Sequence, residues 1–133
     1  MVTGFRSGVL GKPVPMFPAE NLRDWRGENV IDPDDDKIGD LEAVYVDTTT
    51  DEPAFATVRV GMIGRHRLVF VPLAGATVTP KAVRVRYEKK LVGAAPSIDM
   101  DGELEAGAEP AVFAHYGLPY QPGLTGARRL ARR

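Results

Sequence analysis

Glycine and proline interrupt this chain throughout, with fourteen of the one and eleven of the other among 133 residues. Proline fixes φ and removes a ladder donor, and glycine supplies the conformations that tight turns require. A chain broken so often closes many turns between short elements and leaves little room for long helices. A mostly-β class follows.

Between the breaks, apolar residues recur in bursts with strand periodicity. Ala54, Ala56, Val58 and Val60 alternate with Phe55, Thr57 and Arg59, giving a period of two with one wetter face. Residues 29–31 read as a short strand running into a turn at 33–36. The strand over 37–47 carries Ile38, Leu41, Ala43, Val44, Tyr45 and Val46, with a register shift after Gly39 that reads as a bulge. Gly61 and Gly64 then bracket a tight turn. Residues 68–73 are apolar on both faces, so one side must meet the core and the other a further element or a second subunit, with Pro72 marking an edge or end. Val83, Val85 and Tyr87 alternate with Arg84, Arg86 and Glu88, a strand buried on one face and charged on the other.

Beyond Pro96 the acids Asp99, Asp101, Glu103, Glu105 and Glu109 lead to Pro110. Proline at a first helical position, an acid before it and Gly117 behind predict a short helix over 110–116. Val112, Phe113 and Tyr116 share one side of it, expected to cap a small barrel. The organisation is an irregular leader at 1–20, a β domain at 21–98, an acidic linker with a capping helix at 99–120, and a loop-like basic tail at 121–133.

The length suits one domain, able to bury roughly two-thirds of its unfolded surface. With no cysteine in the chain, disulfides, thiolate zinc sites, iron–sulfur clusters and cysteine nucleophiles are excluded, and a reducing compartment is expected. The first ten residues lack an apolar signal core and no apolar run approaches the roughly 18 residues of a membrane helix, so the protein is read as cytoplasmic.

Seventeen basic and eighteen acidic residues give a net charge of −1, but the distribution is uneven. Four arginines stand in 128–133. Between Asp32 and Glu52 nine acids accompany one base, Lys37, whereas between Arg65 and Lys90 seven bases accompany one acid, Glu88. The ordinary reading is pairing between neighbouring strands of one domain; the sharper one is complementarity between subunits or with a charged partner. The bases lack the aromatic interleaving of single-strand binders.

Little here carries chemistry. Asp32, Asp34 and Asp36 occupy positions 1, 3 and 5 of a calcium loop, but Lys37 stands where its glycine belongs and Ala43 where its bidentate glutamate belongs, leaving weak metal candidates. His66 lies between Arg65 and Arg67, and His115 beside Tyr116 is expected to pack or to bond a loop; two histidines so far apart suggest no zinc site. Ser7 and Ser97 sit in no nucleophile elbow, and no glycine-rich loop opens onto a phosphate-binding helix. No catalytic residue and no cofactor is expected. Trp25 either closes one end of the core or anchors a partner.

The segments Gly27-Glu28-Asn29-Val30-Ile31-Asp32, Asp36-Lys37-Ile38-Gly39-Asp40-Leu41, Tyr45-Val46-Asp47, Leu68-Val69-Phe70-Val71-Pro72-Leu73 and Val83-Arg84-Val85-Arg86-Tyr87-Glu88-Lys89 together resemble the PRC-barrel domain over about residues 22–97. The acidic run through Glu109-Pro110 to His115-Tyr116-Gly117 is similar to the extension of stand-alone bacterial members, particularly actinobacterial ones. The resemblance implies a small β-barrel of about six strands that acts as a docking platform and has no shared catalytic residues. Such barrels occur in the cytoplasmic domain of the photosynthetic reaction centre H subunit and in a ribosome-maturation factor, and neither role transfers directly. The glycine usual before Lys37 is Asp36 here, which alters that turn.

The expected function is a non-enzymatic protein-interaction adaptor, homodimeric, with an unidentified protein partner and with Val69, Val71, Arg84, Arg86 and Trp25 as interface candidates. One alternative is a ribosome- or RNA-associated factor using Arg84, Arg86, Lys89, Lys90 and the arginines of 128–133. Another is a divalent-cation or small-ligand module at Asp32, Asp34 and Asp36.

Overall fold

The computed structural model describes residues 25–79 and 81–133; the leader expected at 1–20 lies outside them. The strands are β1 (Asn29–Ile31), β2 (Lys37–Asp47), β3 (Glu52–Val60), β4 (Arg67–Pro72), β5 (Thr77–Val78), β6 (Ala82–Arg84), β7 (Ser97–Ile98) and β8 (Leu130–Arg132). Among the described residues the strands are joined by two short helices, α1 (Lys89–Gly93) and α2 (Glu109–His115), and by 3₁₀ turns. The sheet runs β5-β6-β1-β2-β3-β4-β7, with β8 on β2. The β1–β6 pair is parallel and the others are antiparallel. The mostly-β class holds. The two ends of the sheet, β5 and β7, do not pair with each other among the described residues, so the sheet is open where a closed barrel of about six strands was expected.

Strand β2 organises the rest. One edge pairs with β3 from Asp40 to Asp47, while the other is shared end to end by β1 and β8. Its start bends where Val30 faces Gly39 but Ile31 faces Lys37, leaving Ile38 as the extra residue beside the expected bulge. Gly39 is required there, because a Cβ would stand 2.1 Å from the Arg59 carbonyl oxygen.

Directly opposed residues of antiparallel strands share a face. One face of the β2–β3–β4 sheet therefore carries Tyr45, Phe55, Thr57 and Phe70, and the other Leu41, Val44, Ala56, Val58, Val69 and Val71, all buried. The C-terminal segment covers the first face. Phe113 of α2 meets Phe55 edge-on at 5.1 Å, the Tyr116 hydroxyl donates to the Phe70 carbonyl at 2.5 Å, and Tyr45 accepts the Leu104 N–H at 3.1 Å. The second face packs into the same core as Val30, Val83, Val85 and Val92. Both sides of 68–73 are thus covered within one chain.

The predicted capping helix is present as α2, with proline in its first turn and Gly117 at φ +69 beyond its end. Two expectations need correction. The strand expected through Glu88 stops at Arg84, and Lys89 and Lys90 begin α1, because the Asp32 carboxylate accepts the Lys89 N–H at 3.0 Å and draws the chain into a helical turn. The tail expected to be loop-like contains β8, with Leu130 wholly buried. It is fixed by Glu109, also wholly buried, whose carboxylate accepts the Arg129 N–H at 3.0 and 2.9 Å, the Leu130 N–H at 2.9 Å and the Tyr120 hydroxyl at 2.6 Å. A buried carboxylate is tolerated when hydrogen bonds surround it, and here backbone donors 20 and 21 residues away supply them.

Candidate functional site

The acidic turn between β1 and β2 is built around one side chain. Asp32 Oδ1 accepts the N–H groups of Asp34 and Asp36 at 2.8 and 2.9 Å, and Oδ2 accepts that of Lys89. The Lys89 bond foremost, with those from Asp36 and Asp34, holds the Asp32 carboxyl below its ordinary 3.8 against the opposing effect of burial. Asp32 is therefore a structural tie between a turn and a helix, and its oxygens are already occupied by protein donors. Asp34 and Asp36 are exposed on the outside of the turn, and no three acidic or histidine side chains among the described residues group as a metal site. The three aspartates singled out as metal candidates do not converge. Millimolar calcium or magnesium is expected to leave the melting temperature unchanged, since a specific ion would raise it by mass action; differential scanning fluorimetry checks this.

Arg84 braces the same turn, donating to the Asp32 carbonyl at 3.1 Å and pairing with Asp35 at 2.5 Å. Other acids of 32–52 also find partners within the chain: Asp40 with Arg59 at 2.7 Å and Lys37 at 3.0 Å, Glu42 with Arg26 at 2.6 Å, Asp47 with Arg129 at 2.8 Å, and Asp51 with Arg133. The hydrogen bond from Arg59 lowers the Asp40 carboxyl; for Asp47, burial raises it, and the bonds from Arg129 and Thr49 outweigh that and lower it. Carboxyls depressed in the folded state contribute stability that is complete above the unfolded value and is lost as pH falls through the folded one. Asp32, Asp40 and Asp47 thus predict a plateau above about pH 4 and loss below it. At the other end, its bond to Glu109 pushes the Tyr120 phenol up to about 12, and burial raises Tyr45 and Tyr116. Those neutral phenols stabilise the fold fully below about pH 10, and stability falls above it as unfolded tyrosines ionise. Urea melts across pH check both limits.

The interface candidates separate on inspection. Val69 and Val71 have 0% exposure within the single chain and offer no surface, because their face packs into one core with Val30, Val83, Val85 and Val92 of the same chain. Trp25 is half-buried and packs against the core. Arg84 is committed to the acidic turn, and exposed Arg86 lies across Gly75, where a Cβ would meet its Cδ at 2.0 Å. His115 bonds through Nε2 to the Leu91 carbonyl at 2.7 Å, in helix α1 where a loop was the expected partner, and His66 is exposed. The arginines of the basic tail do not form a free cationic surface: Arg128 bonds the Leu104 carbonyl at 2.9 Å, Arg129 joins Asp47, Arg132 lies 3.8 Å from Glu103, and Arg133 joins Asp51.

A different feature stands out on the surface. At the β3–β4 hairpin tip, Met62 and Ile63 are 76% and 96% exposed. The tip has a fixed shape, with the Arg65 N–H donating to the Met62 carbonyl at 2.8 Å; at Gly61, φ +102, a Cβ would lie 2.5 Å from the Arg65 carbonyl oxygen. Beside the hairpin base runs a groove of about 710 Å³ lined by Val60, Gly61 and Arg67 of the hairpin, by Asp34, Asp36 and Ile38 at the start of β2, and by Glu88, Lys89 and Lys90 at the start of α1. The sequence reading placed the turn at Gly61 and Gly64 but gave Met62 and Ile63 no role. The available signal was two large apolar residues between turn glycines, followed by Arg65-His66-Arg67.

The open, mostly antiparallel sheet with its parallel β1–β6 join and short helices defines a small barrel-like β domain. The family model for the PRC-barrel domain matches residues 18–92, more than half of the chain, and the chain belongs to that family. No curated protein matches the sequence. No helix among the described residues is long and apolar enough to cross a membrane.

Proposed function

We propose that this PRC-barrel chain is a protein-interaction module that works by binding and not by catalysis. The observation that carries the reading is the division of its side chains. Buried Asp32, Thr57 and Glu109 all bond within the chain, while the most exposed large apolar side chain among the described residues, Ile63, stands on a shaped hairpin. Large apolar groups held in water at a fixed turn are what a protein partner would desolvate. PRC-barrel domains often occur in interaction modules, which agrees with this. A cytoplasmic location and association with a second copy belong to the same reading.

The RNA-associated alternative is weakened by the committed arginines, since phosphate binding needs cations free to replace counterions. Affinity capture of the tagged full chain from its own cell extract, with and without ribonuclease and at two salt concentrations, tests the choice. A discrete protein that survives both treatments is expected. Ribosomal proteins lost on ribonuclease or salt treatment would put the RNA reading first.

A further inference from the structure

We infer that the hairpin tip and the groove beside it form a self-complementary surface whose occupant is a second copy of this chain. This rests on the interaction-module reading and names the partner at that surface. One wall of the groove is the acidic turn with Asp34 and Asp36, and the other carries the three bases Arg67, Lys89 and Lys90 with one acid, Glu88; apolar Ile38 and Val60 also line it. The knob next to it is apolar at Met62 and Ile63 and basic at Arg65 and His66-Arg67, all exposed. Leu91 of α1, 38% exposed, extends the apolar area.

A two-fold axis brings the same patch of both copies face to face, so a patch that carries both signs can set the acidic wall of each copy against the basic wall of the other in an isologous interface. In that arrangement each tip seats its methionine and isoleucine over the other copy's Ile38 and Val60, and each acidic wall faces the other's bases. The acids concerned are free for this role. Asp34 and Asp36 form no ion pair among the described residues, whereas the neighbouring Asp35 is held by Arg84. A partner of uniform charge would satisfy one wall and be repelled by the other, and so would an anionic membrane surface.

Sedimentation equilibrium of the full chain over a concentration series provides the test, with three variants whose substitutions all lie on exposed positions. The expected result is a wild-type dimer of the 14.4 kDa chain, weakened at high salt because the charged walls are open to solvent. Ile63→Asp is expected to weaken the dimer at least tenfold with the melting temperature of the monomer kept. The double variant Asp34→Lys with Asp36→Lys makes both walls basic, and Lys89→Glu with Lys90→Glu makes both acidic. Each is expected to be monomeric alone, and an equimolar mixture to recover a one-to-one heterodimer. A wild type that stays monomeric at all concentrations overturns the proposal, as does an Ile63→Asp variant that dimerises unchanged or a mixture that does not associate. A monomeric chain that still captures a ribonuclease-resistant protein overturns this assignment alone and leaves the interaction-module reading standing.

Discussion

Replacing Glu109 with alanine is expected to cost about 3–5 kcal/mol of folding stability and to release β8 from the sheet. The substitution removes the acceptor of two backbone N–H groups and of the Tyr120 hydroxyl at a position with no access to water. Each buried donor left without a partner costs roughly 1–3 kcal/mol, and a domain of this kind has only about 5–15 kcal/mol in total. Urea denaturation measures the loss. Hydrogen exchange locates it, with the amides of 129–132 expected to lose protection before those of β3 and β4. Glu109→Gln keeps the shape but turns an NH₂ toward donors that need an acceptor, so about half the effect is expected. A truncation lacking 128–133 should be as damaging as Glu109→Ala, since it also uncovers the β2 edge and vacates the place of buried Leu130. A truncated chain with wild-type stability would mean that the tail takes no part in holding the sheet.

Val71→Lys is expected to prevent folding, whereas Ile63→Lys is expected to change stability by no more than about 0.5 kcal/mol. Both replace a branched apolar residue with a cation in the same hairpin, and their environments decide the difference. Val71 has no exposed surface and stands opposite Ala56 on the face that packs with the core, so an ammonium there would be buried without a counter-ion. Ile63 is almost wholly in water. Circular dichroism and soluble yield distinguish the two, and Val69→Lys repeats the first experiment two pairs along the ladder, opposite Val58 on the same face. A folded, monomeric Val71→Lys protein would mean that the second apolar face of 68–73 is not closed by its own chain.

Much of the fold was legible because its signals are local. Alternation at 54–60 marks β3, the continuous apolar run at 68–73 marks a strand covered on both sides, and Glu109-Pro110 with Gly117 marks α2. Each depends on spacing that a few neighbouring residues fix. The bulge beside Gly39 was legible for the same reason, although the contact that demands glycine, the Arg59 carbonyl, comes from another strand.

The candidate surface was only half legible. Gly61 and Gly64 announced a turn, but exposure of Met62 and Ile63 depends on how far the hairpin stands clear of everything else. The acidic turn was visible as Asp32, Asp34 and Asp36, yet their division of labour was not. Asp32 faces inward to Lys89, 57 residues away, while Asp34 and Asp36 face out beside Lys89 and Lys90.

From its sequence alone, then, this chain was determined to be a cysteine-free, mostly-β domain of short strands with one late capping helix, because turn residues and apolar period act within a few positions. Only the tertiary structure decided what closes 68–73 and where the charges are spent. A buried glutamate on α2 draws the last strand onto β2, and the arginines that flank that strand, Arg129 and Arg133, meet Asp47 and Asp51 at separations of 82 residues. Pairings at that distance depend on the path of the whole chain, which no local pattern encodes.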